Sequence, residues 1–148
     1  MMAVRVKSNS HRAQKKCLRI IDANYNRAKE AIRVCEDIAR FSLEESRLSY
    51  NWKSCRHALT GALLKLPVSY RQIIETRGSD SDVGKAFEIS DKRNTEINDV
   101  LKANMKRAQE ALRVLEEFSK VVAPRQSGRF QKIRFQLYGL EKATYSKI

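Results

Sequence analysis

The sequence predicts an all-α fold: duplicated helix hairpins forming a four-helix-bundle-like domain with pseudo-twofold symmetry. Three observations carry this. The 148-residue chain has only five Gly and two Pro, a scarcity of turn formers that argues for long helices. Apolar residues recur at spacings of three and four rather than two. The stretch Ala23–Phe41, ANYNRAKEAIRVCEDIARF, returns eighty residues later as Ala103–Val121, ANMKRAQEALRVLEEFSKV. Nine of nineteen positions are identical between 22–40 and 102–120, which points to duplication.

The first long helix follows from a 4-3 spacing begun at Ile20, which selects Asn24, Arg27, Ala31, Val34, Ile38 and Phe41. The same register in the second copy selects Val100, Asn104, Arg107, Ala111, Val114, Phe118 and Val121. These are expected to face inward, widened by Ala28, Cys35, Ala108 and Leu115. Each helix should run about six turns at ~3.6 residues per turn. Ser10 and Ser90 are the expected N-caps. The first helix should end at Phe41-Ser42 and the second before Pro124. A second helix follows each: roughly 47–66, stopped by Pro67, and roughly 129–147. Trp52, Arg56 and Leu59 align with Phe130, Arg134 and Leu137, so the repeated unit is a helix pair. Short loops make each pair antiparallel. The expected organisation is one domain over 1–148, with an internal repeat at about 10–66 and 90–147 and a connecting loop at about 67–89.

Composition narrows the function classes. A net charge of +13 suggests an anionic partner: nucleic acid, anionic lipid or a phosphorylated small molecule. Three cysteines without a C-x-x-C pair fit a reduced, cytoplasmic compartment. Two histidines, His11 and His57, are too scattered for a His-based zinc site. No apolar run follows the basic N-terminal stretch and none is long enough to span a bilayer, so neither a signal peptide nor a membrane partner is expected. No Ser-His-Asp order, metal signature or GxGxxG is present.

The repeated Asn and Arg are the costly features. Asn24 with Arg27, and Asn104 with Arg107, stayed while neighbours drifted, Tyr25 to Met105 and Asn26 to Lys106. An inward Asn can set helix register, and an inward Arg can pair with Glu30 or Glu110 three residues on. A guanidinium carries five donors, and burying one uncompensated costs several kcal/mol, so a ligand is the other reading. On that reading both pairs face a shared cavity between the long helices that holds a phosphate or a pyrimidine ring. Arg33/Glu36 and Arg113/Glu116 are expected on the opposite face as exposed ion pairs, or as contacts with the other helix pair or another subunit. Arg56 with His57 reads as interhelical polar packing or as a phosphate contact.

The central segment, IIETRGSDSDVGKAFEIS, nearly spells a P-loop with Gly78, Gly84 and Lys85. Five residues rather than four separate the glycines, and Ala86 stands where Ser or Thr is required, so the match fails. What remains is Arg77, Asp80, Asp82, Gly84 and Lys85. It is either a solvated connection or a loop offering carboxylate to Mg²⁺ and cations to phosphate.

Four blocks now stand in order: IDANYNRAKEAIRVCEDIARF, DVGKAFEISDKR, VLKANMKRAQEALRVLEEFSK and KIRFQLYGLEK. Together they resemble the helical domain found at the N-terminus of many bacterial thiamine phosphate synthases, regarded as a second, unrelated type of hydroxymethylpyrimidine phosphate kinase. The resemblance spans about Leu18 to Lys142. It implies transfer of a phosphoryl group from ATP, with Mg²⁺, to 4-amino-5-hydroxymethyl-2-methylpyrimidine phosphate. The family's motif positions fall on Asp22, Asn24, Arg27, Glu30, Arg33, Glu36, Asp82, Val83, Gly84, Asn104, Arg107 and Glu110. The candidate catalytic residues are then Asp82, also the candidate Mg²⁺ ligand, and Lys85. The candidate substrate and phosphate contacts are Asn24, Arg27, Glu30, Asn104, Arg107, Glu110, Arg56, Arg77 and Gly84.

Two departures stand out: Ala31 where the family often has Gly, and Lys85 where it often has Thr. The synthase barrel that usually follows is absent from this sequence, so the chain is either free-standing or a cut domain. A thiamine phosphate synthase is a candidate partner, as is a second copy of the chain. Two rivals remain: a basic helical nucleic-acid-binding module, and a non-catalytic docking or regulatory domain of a synthase. Phosphoryl transfer fits the composition, because it needs positioning and charge neutralisation more than a protein nucleophile.

Overall fold

The computed structural model describes residues 2–87 and 95–148, and these are all-helical, with no strand among them. Five α-helices run in order: α1 (Met2–Phe41), α2 (Ser46–Leu64), α3 (Tyr70–Ile74), α4 (Ile97–Val122) and α5 (Ser127–Tyr145). Short 3-10 turns occupy Lys85–Phe87 and Pro124–Gln126.

No Gly or Pro interrupts α1, so the helix continues through Ser10, which is interior rather than a cap. The other expected cap, Ser90, lies outside the described residues. The expected stops hold. α1 ends at Phe41, where the backbone N–H groups of Ser42 and Leu43 both donate to the Ile38 carbonyl, and α4 ends at Val122, before Pro124. Turning from α1 into α2 places Glu44 at a φ of 53°, in the left-handed region. α3 stands where an irregular connection was expected. Its signal is Ser69-x-x-Gln72: the Ser69 hydroxyl accepts from the Gln72 N–H, and the Gln72 side chain accepts from the Ser69 N–H.

α1 packs along α4, α2 lies on α1, α5 lies on α4, and α2 meets α5. The buried stripes are Ile21, Tyr25, Ala28, Ile32, Cys35 and Ala39 on α1, and Leu101, Met105, Ala108, Leu112, Leu115 and Ser119 on α4. Asn24, Ala31 and Ala111 are buried as expected, as are the widening residues Ala28, Cys35, Ala108 and Leu115, but the centre of the buried face lies one residue over, about 100° of helix rotation. Arg27, Arg107, Phe41 and Val121 face solvent instead. The physical reason is plain on α1: the Ile21 stripe is apolar throughout, whereas the Ile20 stripe would bury a guanidinium. Between the halves, Trp52 is fully buried and its indole N–H donates to Thr144 Oγ1 at 3.2 Å.

The charged residues expected on the outer face are a second correction. Glu36 and Glu116 are buried. Arg56 Nε donates to Glu36 Oε2 at 2.7 Å and its Nη2 to Oε1 at 3.3 Å. Arg134 Nε donates to Glu116 Oε2 at 2.9 Å. Arg33 and Arg113 stay half exposed, each spanning the buried glutamate and the next acidic residue, Asp37 or Glu117. The rotation explains this too. Turning the helix by one residue carries Glu36 from the outer face to the seam facing α2.

Cys35 and Cys55 are buried, and burial pushes both thiols up from 9.0 to about 12. A thiol held protonated by the fold contributes stability below its unfolded pKa, and that contribution is lost as pH rises from 9.0 towards about 12. Thiolate reagents at pH 8 are therefore expected to label Cys17, which is only half buried, and to reach Cys35 and Cys55 only on unfolding. Mass spectrometry of the native and denatured protein checks this. No helix among the described residues is long and apolar enough to cross a membrane.

Candidate functional site

The segment after α3 folds back over α1 and encloses a groove of about 480 Å³. Arg19, Asp22, Asn24 and Arg27 come from α1, and Arg77 and Asp82 come from the segment after α3. The fastening is polar and reciprocal. Arg77 Nε donates to Asp22 Oδ2, and Nη2 to Oδ1, both at 2.8 Å. Arg19 Nη2 donates to the Gly78 carbonyl at 2.9 Å. The approach at Gly78 is close: a Cβ there would meet Ser81 Oγ at 2.9 Å and Arg19 Nη2 at 3.4 Å, so both side chains would have to shift. The Asp22 carboxylate, hydrogen-bonded to the Arg77 guanidinium, pushes that group's pKa further up. Asp82 closes a small turn, its Oδ1 accepting from the Gly84 N–H at 2.9 Å.

Of the residues singled out from sequence, the groove gathers Asp22, Asn24, Arg27, Arg77, Asp82 and Val83, with Gly84 beside Asp82. Lys85 sits past the rim at the start of a 3-10 turn, 3.8 Å from Asp80. Asn104, Arg107 and Glu110 line a separate depression of about 310 Å³ that shares no lining residue with the first. The two Asn-Arg pairs therefore do not face one shared cavity. Glu30 is exposed and outside the groove lining. Among the described residues, Arg27 makes no ion pair with Glu30, nor Arg107 with Glu110. Arg56, held by Glu36, is a packing element remote from the groove lining.

The repeated Asn has a local explanation. Asn24 Nδ2 donates to the Ile20 carbonyl at 2.9 Å, and Asn104 Nδ2 to Val100 at 2.8 Å. Each amide N–H₂ is thus tied back one turn along its own helix, which satisfies a donor at the edge of the core. Arg19 and Asn26 are groove residues that the sequence did not select; Asp22 lies outside the spacing but is one of the motif positions that the resemblance named.

Among the described residues no group of three or more His, Cys, Asp and Glu stands close enough to hold a metal ion by protein ligands alone. Both Asp22 oxygens are taken by Arg77, which leaves Asp82 as the groove's available carboxylate. One carboxylate suits Mg²⁺ when substrate phosphates supply further oxygens.

Fold and groove together define an all-helical domain with an arginine-rich cleft along its first helix. The chain belongs to the ThiD2 family, whose pattern matches residues 19–143. It is similar to the thiamine-phosphate synthase of Synechocystis sp., 36% identical over 83% of this chain and 34% of that protein. The thiamine-phosphate synthase of Synechococcus sp. strain CC9605 is 40% identical over 83% of this chain and 34% of its own length. That of Rhodopirellula baltica is 36% identical over 82% and 32%. The chain thus spans about a third of the length of the curated relatives it matches. No solved structure matches it.

Proposed function

We propose that this chain acts in thiamine biosynthesis, in the cytoplasm, as a phosphotransferase that converts hydroxymethylpyrimidine phosphate to the diphosphate with ATP. The observation that carries the reading is the convergence of Arg19, Arg27 and Arg77 with Asp82 on one groove. Three guanidiniums suit the charge that spreads over phosphoryl oxygens in the transition state. Arg27 and Arg77 bind the substrate phosphate and Asn24 borders the ring. Asp82 would hold Mg²⁺, which when bound neutralises charge on the transferring phosphate. Lys85, one step beyond the rim, neutralises donor phosphates. Membership of the ThiD2 family and likeness to thiamine-phosphate synthases support the pathway.

A second reading has its own support. The relatives are about three times as long as the matched region, which suits a docking or regulatory domain of a synthase. A coupled assay for ADP release separates the two. With the pyrimidine monophosphate, ATP and Mg²⁺ the expected result is turnover that EDTA abolishes. No turnover, with retained binding of a synthase, favours the docking role. Binding of random duplex DNA that collapses about 10³-fold between 50 and 200 mM salt would instead favour a nucleic-acid module.

The same reading extends to the fold, as two copies of one helix pair related by an approximate twofold axis. Two shallow depressions between α2 and α5 support it. Adding 78 to Ser54, Cys55 and Ala58 of one gives Lys132, Ile133 and Gln136 of the other. Adding 78 to Gly61 and Ala62 of the second gives Gly139 and Leu140 of the first. The matched pairs Glu36–Arg56 and Glu116–Arg134 support it as well.

A further inference from the structure

We infer that Asp22 is the positioning residue of the groove: it pins Arg77 across α1, and so confines the anion site to the first half of the repeat. This deepens the phosphate-binding reading above and rests on it.

Asp22 is buried, and a buried carboxylate is costly without a charged partner. Its partner comes from 55 residues away. Both of its oxygens are used, on the Nε–Nη2 edge of Arg77, while the Arg77 side chain remains 43% exposed. The Tyr70 hydroxyl also lies beside Arg77, and the exposed remainder of the guanidinium is left for an incoming anion, in an orientation already set. Asn26 Nδ2 approaches Asp22 Oδ1 at 3.3 Å and adds a third donor to the carboxylate. The Arg19 contact to Gly78 holds the next residue of the loop.

Among the described residues, the other half of the repeat shows no such carboxylate–arginine pair at the matching position. Lys102 stands where Asp22 stands in the first copy, and Lys106 where Asn26 stands. Lys106 is drawn 2.9 Å from Glu141, and Gln109 also donates to Glu141. A lysine at 102 would repel an arginine rather than orient it. Duplication therefore copied Asn and Arg, but not the carboxylate that organises the loop.

The test uses the whole chain with inorganic diphosphate as the probe, reading hydrogen exchange and calorimetric binding. Asp22→Asn is expected to raise amide exchange over residues 78–83 about tenfold or more, with α2 unchanged. It should also weaken diphosphate binding about tenfold or more. Asp22→Glu, which keeps the carboxylate, should recover part of the affinity. Arg77→Gln tests the same contact from its exposed end should Asp22→Asn not fold. Loop exchange and affinity within twofold of the parent in these variants would overturn the inference. So would exchange that rises equally in α2 and α5, because Asp22 would then be only a core residue. Absence of diphosphate binding by the parent overturns it too. Diphosphate binding without any ADP release rejects the kinase reading and leaves this one standing.

Discussion

Glu36→Ala is expected to destabilise the chain by about 3–5 kcal/mol, because it strands Arg56 against the core without its counter-charge. The Glu36 side chain is 6% exposed and that of Arg56 14%, so water does little to replace the lost carboxylate. The neighbouring carboxylate, Asp37, is already engaged by Arg33 at 3.3 Å. At about 2–4 °C per kcal/mol for a chain of this size, the melting temperature should fall by roughly 10 °C. Glu116→Ala should do the same through Arg134, whose side chain is 12% exposed. The double variant Glu36→Gln, Arg56→Met should recover much of the loss, since removing both charges also removes their desolvation cost. Thermal unfolding of the three variants checks this. A Glu36→Ala variant that melts within 2 °C of the parent would place the pair in water rather than in the seam.

Arg27→Lys is expected to lower kcat/KM for the pyrimidine monophosphate about 10- to 100-fold, the range for losing a hydrogen bond to a charged group. Lysine keeps the charge and removes the planar fork, so the loss measures geometry rather than net charge. Arg27 is exposed on the rim of the groove, and the change should leave the melting temperature untouched. Arg107→Lys is the control. It lies in the separate depression with Asn104 and Glu110, and its effect on turnover should stay within about twofold. Steady-state kinetics on both variants decides between one functional groove and two. Equal losses would restore function to the second half of the repeat.

The second expected result treats the halves differently, and that difference was only partly legible in the residues. The helical class, the long helices and their stops at Phe41 and before Pro124 all followed from short-range rules. Spacing of three and four marks a helix, and proline cannot continue one. The repeat was visible because identity at fixed offset needs no three-dimensional information. α3 was also within reach, through the capping box at Ser69 and Gln72, but five residues are too few to show a period.

Rotation was less secure. Both the Ile20 and Ile21 stripes contain enough apolar residues to look inward, and they differ by a single step around the helix. The presence of Arg27 in one and its absence from the other was the available signal. Taking the Ile20 stripe as inward places Glu36 on the outer face and Arg27 on the inner one.

By itself the sequence determined the helical class, the internal sequence repeat and the loop of Arg77 and Asp82 as a candidate site. These depend on local periodicity, on turn chemistry and on resemblance. The tertiary structure alone decided which charges are paired. It joined Arg77 to Asp22 across 55 residues, gave Arg56 to Glu36, and separated Asn104 and Arg107 from Asn24 and Arg27. The reason is that a guanidinium takes whichever carboxylate the packing brings within about 3 Å, and that choice is set by helix rotation and loop path rather than by neighbours in the chain.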